Sequence, residues 1–148
     1  MPTPHREVVN QLCAWIIDEV PAASGWTFYV EEPITLPNEP ACAVWWERGD
    51  PLPEENTTGW IGTIDTYGIR FTEPASANSR LLRDEDEESS LETDMEAVVA
   101  TLFNHSPDLP APNHDMRWGG YNKIPTSNDF LFAGWEIRVE VRRQVSFT

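Results

Sequence analysis

The clearest pattern in the chain is a strict alternation of apolar and charged residues near its C-terminal end. The apolar members are Trp135, Ile137, Val139 and Val141, and the charged members between and after them are Glu136, Arg138, Glu140 and Arg142. Because successive side chains of a strand point to opposite faces, the pattern predicts a β-strand with one buried and one solvated face. A second long strand is predicted from Trp60 to Phe71, with Tyr67, Ile69 and Phe71 on one face and Thr66 and Arg70 on the other.

Apolar residues recur at helical spacing near the N-terminus. Thr3 provides a hydroxyl N-cap, Pro4 suits the first helical position and Pro21 stops the helix. The apolar stripe of this predicted helix consists of Val8, Val9, Leu12, Trp15, Ile16 and Val20.

A second amphipathic helix is predicted from Ser90 to Asn104. Ser89 and Glu92 match a capping box at its start. Its apolar stripe consists of Leu91, Met95, Val98, Val99 and Leu102.

The remaining segments complete the predicted fold. Shorter strands are expected at Trp26–Val30, Ala41–Trp46 and Met116–Tyr121, and polar loops at Asp50–Gly59 and Ser106–Asn113. The element order is then α-β-β-β-α-β-β. It predicts one α+β domain over residues 1–148, with two main helices on a single mixed or antiparallel sheet of about five strands.

The charge of the chain restricts its partners. Asp and Glu number 25 against 10 Lys and Arg, a formal net charge of −15. Nucleic-acid binding depends on cations that neutralise phosphates, so we expect no specific nucleic-acid binding and no affinity for an anionic membrane. The sequence shows no apolar run long enough to span a bilayer and no signal-peptide pattern, so synthesis in the cytoplasm is expected. The only cysteines, Cys13 and Cys42, are expected to be buried thiols.

The search for chemistry yields no catalytic, cofactor-binding or metal-binding residues. A calcium loop starting at Asp84 would need glycine at its sixth and glutamate at its twelfth position, which are Ser89 and Met95 here. His5, His105 and His114 lack metal-ligand spacing and are expected on loops or the surface. Trp118-Gly119-Gly120-Tyr121 indicates a tight bend in a strand rather than a ligand platform. We therefore expect a protein that is not an enzyme.

The order of the segments resembles the small tail terminator proteins of long-tailed bacteriophages and the related head-tail joining and tail completion proteins. The resemblance rests on a helix over Val8–Val20, strands at Ala41–Trp46 and Ile64–Phe71, a helix ending in Leu102-Phe103, and the alternating strand Trp135–Val141. It covers nearly the whole chain but is one of layout, without a diagnostic motif.

The resemblance implies a structural virion protein at the head-proximal end of the tail. Such a subunit forms a homohexameric ring, caps the tail tube and meets the head-tail connector protein, and DNA passes through its channel. It implies no catalytic residues and no cofactor. A neighbouring connector or tail completion protein, an acidic module that mimics nucleic acid, and a small enzyme without a recognisable motif remain as alternatives.

The acidic run Asp84, Glu85, Asp86, Glu87 and Glu88 has no counterpart in the resemblance. One interpretation is a solvated segment that keeps the subunit soluble. The other is that the run lines the channel and repels the DNA backbone.

Overall fold

The first helix forms as its capping residues predict. The computed structural model of the chain describes residues 3–32, 39–56, 59–74, 91–124 and 132–146. Helix α1 spans Pro4–Glu19, and the Thr3 hydroxyl accepts a hydrogen bond from the Arg6 backbone N–H at 3.2 Å. Val20 ends the helix, and a 3-10 turn follows at Pro21–Gly25. The predicted N-cap and stop are confirmed.

Five strands make one sheet in the order β1-β2-β3-β5-β4. The strands are β1 (Thr27–Tyr29), β2 (Ala41–Pro51), β3 (Trp60–Pro74), β4 (Asn113–Lys123) and β5 (Phe132–Ser146). The β1–β2 pair is parallel and the other three pairs are antiparallel. With helix α2 at Leu91–Asn104, the predicted α+β class and element order are confirmed.

The core lies between the two helices and one face of the sheet. Ile137, Val139 and Val141 of β5 are fully buried beside Tyr67 and Ile69 of β3. The core residues of α1 are Cys13 and the members of the predicted stripe, Val8, Val9, Leu12, Trp15 and Ile16. The alternating pattern thus identified the buried face correctly, although Trp135 at its start is only partly buried.

Both cysteines are free and buried in this core, as expected. Burial raises the pKa of the Cys13 thiol to about 11 and that of Cys42 well above its ordinary value. Both side chains are therefore uncharged packing residues near neutral pH.

Four of the five strands are longer than the sequence pattern indicates, whereas β1 (Thr27–Tyr29) is shorter than the expected Trp26–Val30. β2 continues through Asp50 to Pro51, so the expected loop Asp50–Gly59 is shorter. This extension pairs with β3 along its whole length, as far as Pro51 opposite Thr63, and a β-bulge follows Trp46. Charged residues, glycine and proline have low strand propensity, but pairing with a long neighbouring strand overrides it here.

The expected loop Ser106–Asn113 is also corrected. It contains a 3-10 turn at Ser106–Asp108, and Asn113 already belongs to β4. The Asn113 side chain donates to the Pro110 carbonyl at 2.7 Å, which closes the bend that leads into this strand.

Candidate functional site: two open edges of the sheet

The face of the sheet opposite the two helices carries the charged residues of β5, and a tryptophan of β2 packs on it. Trp45 of β2 is 5% exposed, although it points away from both helices. Its indole lies across Gly68 of the neighbouring strand, where a Cβ atom would be only 2.3 Å from the ring. Gly68 is thus required for close approach of the ring and not for a turn.

Two arginines hold this indole in place. The guanidinium carbons of Arg70 and Arg138 lie 5.1 Å and 5.4 Å from the Trp45 ring centroid, within cation–π range. Glu136 bridges the pair, at 2.9 Å from Arg70 and 3.4 Å from Arg138. Arg70 also forms an ion pair with Glu32 at 2.8 Å, and Arg138 forms one with Glu47 at 3.0 Å. These contacts form a network around Trp45, the Trp45 network, which connects strands β2, β3 and β5.

A second polar cluster lies on the helix side of the sheet, beyond the start of α1. Asp65 is 1% exposed and forms an ion pair with Arg143 at 3.1 Å. The Trp46 indole N–H donates to Asp65 at 3.3 Å, and the His5 ring stacks on Trp46 with centroids 4.3 Å apart. Tyr67 completes the cluster through a 3.3 Å contact between its hydroxyl and His5 Nδ1.

Desolvation shifts the pKa of two members of this cluster. Burial lowers the pKa of His5, and the effect of Asp65 in the opposite direction does not offset it. Burial also raises the pKa of Tyr67, and the negative charge of Asp65 adds to that effect. Both shifts favour the neutral forms of His5 and Tyr67, and the stacking of His5 on Trp46 holds the start of α1 against the sheet.

Of the two histidines whose side chains are described, His5 differs from the loop or surface position expected of it, whereas His105 lies in the turn after α2, as expected. His5 lies within α1 and is half-buried. His105 follows α2 and stacks on Trp15 with centroids 4.6 Å apart. It also contacts the carboxylates of Asp108, at 2.8 Å, and Glu19. These contacts fasten the end of α2 to α1. The side chain of His114 lies outside the described part of the chain.

One edge of the sheet is open along most of β2. The three residues of β1 pair only with Ala41–Ala43. From Val44 to Pro51, no described residue pairs with the outer side of β2. A groove of about 480 Å³ lies at this edge, lined by His5, Arg6, Val9, Glu31, Trp45 and Trp46 among others. Within the described ranges, this edge therefore has backbone groups without a strand partner, and a groove beside them with space for side chains.

The opposite edge is formed by β4. This strand pairs with β5 on one side, and no described strand lies on the other. A bulge between Trp118 and Gly120 interrupts the pairing, and Gly120 has a φ of +102°, which favours glycine. In place of the expected tight bend, Gly119-Gly120 forms this β-bulge within a continuous strand.

Beside β4, an apolar groove of about 220 Å³ is lined mainly by α2. Its lining includes Met95, Val99, Ala100, Phe103 and Tyr121. Phe103 and Tyr121 are 60% and 51% exposed. Exposed aromatic side chains beside an open strand are typical of a protein–protein contact.

The acidic run identified from the sequence, Asp84, Glu85, Asp86, Glu87 and Glu88, lies outside the described residues, as does Ser89 of the expected capping box. Within the described ranges, no three His, Cys, Asp or Glu side chains are placed to hold a metal ion. Neither of the two described helices has the length and apolar character that crossing a membrane requires.

Comparison with known proteins gives distant structural similarity only, and no match by sequence. No protein-family model matches the chain. No curated protein sequence matches it. Among solved structures, a chain of the "Virion of native gene transfer agent (GTA) particle" aligns with 96% of this chain and 94% of its own length. The alignment has a TM-score of 0.46 and 13% sequence identity.

Sequence reasoning did not find the two open edges. Their residues carry only weak signals, namely Gly119-Gly120 in β4 and the charged continuation of β2 after Trp46. Which strands are edges depends on strand order, and strand order is a property of the assembled sheet.

Proposed function

We propose that the protein is a structural, non-enzymatic virion component, a tail terminator that forms a ring at the end of the tail tube and joins the tube to the head connector. The observation that carries this proposal is the pair of unlike open edges on opposite sides of one sheet, β2 from Val44 to Pro51 and β4. The layout resemblance supports the specific role.

Unlike edges favour a ring over a symmetric dimer. When one surface of a subunit binds a different surface of the next, the contact is heterologous, and such contacts generate a closed ring when the rotation between subunits closes. Both edges are then covered in every copy, which removes the aggregation risk of unpaired strands.

The charge of the chain suits a ring through which DNA passes. A net charge of −15 per subunit repels phosphates, and a cationic wall would retain the DNA by releasing its counterions. In this proposal the partners are further copies of the chain, the tail tube protein and the head-tail connector protein, with no specific nucleic-acid binding.

The proposal is tested by measuring masses of the full-length chain, alone and mixed with the tail tube protein from the same genome. Mass photometry of the mixture is expected to show a species with six copies of the chain on the end of a tube assembly. The chain without tube protein is the control, because ring closure on the tube is expected to stabilise the hexamer. Copies bound along the whole tube, or tight one-to-one binding to a basic protein instead, would contradict the proposal.

A further inference from the structure

We propose that the β4 edge of one copy pairs with the open part of β2, Val44–Pro51, in the next copy, so that the antiparallel sheet continues from subunit to subunit. The inference rests on the proposed ring and names the surfaces that build it. Three independent features of the described residues support it.

Strand direction is the first feature. Because all pairs from β2 to β4 are antiparallel, β2 and β5 run one way and β3 and β4 run the other. A rotation about an axis along the strands preserves these directions. It would therefore place β4 of one copy antiparallel to β2 of the next, the more stable pairing. The eleven residues of β4 are enough to cover the eight open residues of β2.

Charge is the second feature. The edge strand β4 carries two basic residues, Arg117 and Lys123, and one acidic residue, Asp115, so this edge has a positive balance in a strongly acidic chain. The other side of the sheet, residues 27–32 and 39–56, carries seven acidic residues and one basic residue. The opposite signs attract one edge to the other in a second copy, whereas two β2 edges would repel each other.

Exposed aromatic residues on one side of the sheet are the third feature. Trp46 beside the β2 edge is 42% exposed and stacks on His5 of α1, so it lies on the helix side. Tyr121 and Phe103, which line the groove beside β4, lie on that same side. Joining the two edges would bring these rings together and bury apolar surface that a monomer exposes.

The pairing is tested with single-cysteine variants of the full-length chain. Arg117→Cys labels β4 and Arg48→Cys labels the open part of β2, and both native side chains are exposed. The native Cys13 and Cys42 are buried and react slowly, since burial raises their thiol pKa. The variants are mixed, with and without tube protein, and treated with a short bismaleimide cross-linker.

The expected result is a cross-linked dimer that contains one Arg117→Cys chain and one Arg48→Cys chain. Neither variant alone is expected to form such dimers. Ser24→Cys is the control partner, because Ser24 is exposed near the start of β1, at the opposite end of β2 from Arg48. It should not cross-link to Arg117→Cys.

A second measurement uses substitutions that leave the core intact. Phe103→Ser is expected to raise the chain concentration needed for half-maximal assembly by about tenfold or more, as for an anchor residue of an interface. Ile61→Ser is the matched control, because Ile61 is an exposed apolar residue on the central strand β3. It should leave assembly unchanged, and both variants should unfold at the wild-type urea concentration.

The outcomes separate the two proposals. Six-copy rings without the mixed cross-link, or cross-links between two Arg117→Cys chains, would overturn the β4–β2 pairing and leave the ring proposal standing. Rings that form equally well with Phe103→Ser would also overturn it. If no assembly of any kind forms with tube protein, the proposed function fails together with this inference.

Discussion

Gly68 is the residue whose role depends most directly on a neighbour. Trp45 fills the space above it, and a methyl group there would overlap the ring. Gly68→Ala should therefore lower the free energy of unfolding by about 1–3 kcal/mol through overpacking. Gly25→Ala is the control, because an added Cβ at Gly25 meets no atom within 4 Å, and its effect should stay within about 0.5 kcal/mol. Urea unfolding measures both, and equal losses would contradict the packing of Trp45 over Gly68.

The two described histidines should titrate on opposite sides of the ordinary value of about 6.5. Hydrogen bonds to Asp108 and Glu19 raise the pKa of His105, so its contribution to stability is complete below about pH 6.5 and is lost as pH rises through the folded-state pKa. Burial lowers the pKa of His5, so its contribution is present above about pH 6.5 and is lost as pH falls through the folded-state pKa.

Proton NMR of the imidazole rings resolves the two titrations. His105 is expected to have the higher midpoint and His5 the lower. Asp108→Asn should lower the midpoint of His105 and leave that of His5 in place, because Asp108 contacts only the former of the two rings. The reverse order of midpoints would show that these ring contacts are wrong.

At the scale of elements, strand β5 contributes three fully buried side chains to the core, Ile137, Val139 and Val141. Ile137 is fully buried on the face of the sheet that packs against the helices. Ile137→Ala should therefore lower the free energy of unfolding by about 2–5 kcal/mol, because it leaves a buried cavity. Glu140→Ala, on the charged face of the same strand, should cost less than about 1 kcal/mol. Equal shifts in the urea midpoint would mean that the facing of β5 is reversed.

Glu136 shows the limit of the alternating pattern. The sequence alone makes it one more solvated glutamate, whereas the structure places it between Arg70 and Arg138. Periodicity indicates which face a side chain lies on, but not which partners from other strands meet it there. For this reason, the contacts of the Trp45 network could not be predicted from the sequence.

The helices and the buried faces of the strands could be predicted because local rules determine them. Thr3 and Pro4 mark the start of α1 through local capping, and the periods of the apolar residues identify the buried faces. The continuation of β2 to Pro51 could not be predicted, because β3 imposes it. Strand order and the two open edges also depend on how the strands assemble into the sheet, so the candidate site could be identified only from the structure.

At the scale of the whole molecule, the acidic run Asp84–Glu88 gives a test within the ring proposal. If the run lines the channel, replacing Asp84, Glu85, Asp86 and Glu87 with lysine should leave tails assembled but slow or block DNA ejection, because cationic side chains hold phosphates. Ejection is followed by release of fluorescently stained DNA. Replacement by asparagine and glutamine is the matched control and should have a smaller effect. Normal ejection by the lysine variant would favour the solvated-segment interpretation.

The ring itself is tested most directly by cryo-electron microscopy of the virion that contains this chain. The proposed function predicts one ring of six copies between the tail tube and the head connector, with adjacent copies in contact through their sheet edges. A single copy at that position, or copies repeated along the entire tube, would contradict it.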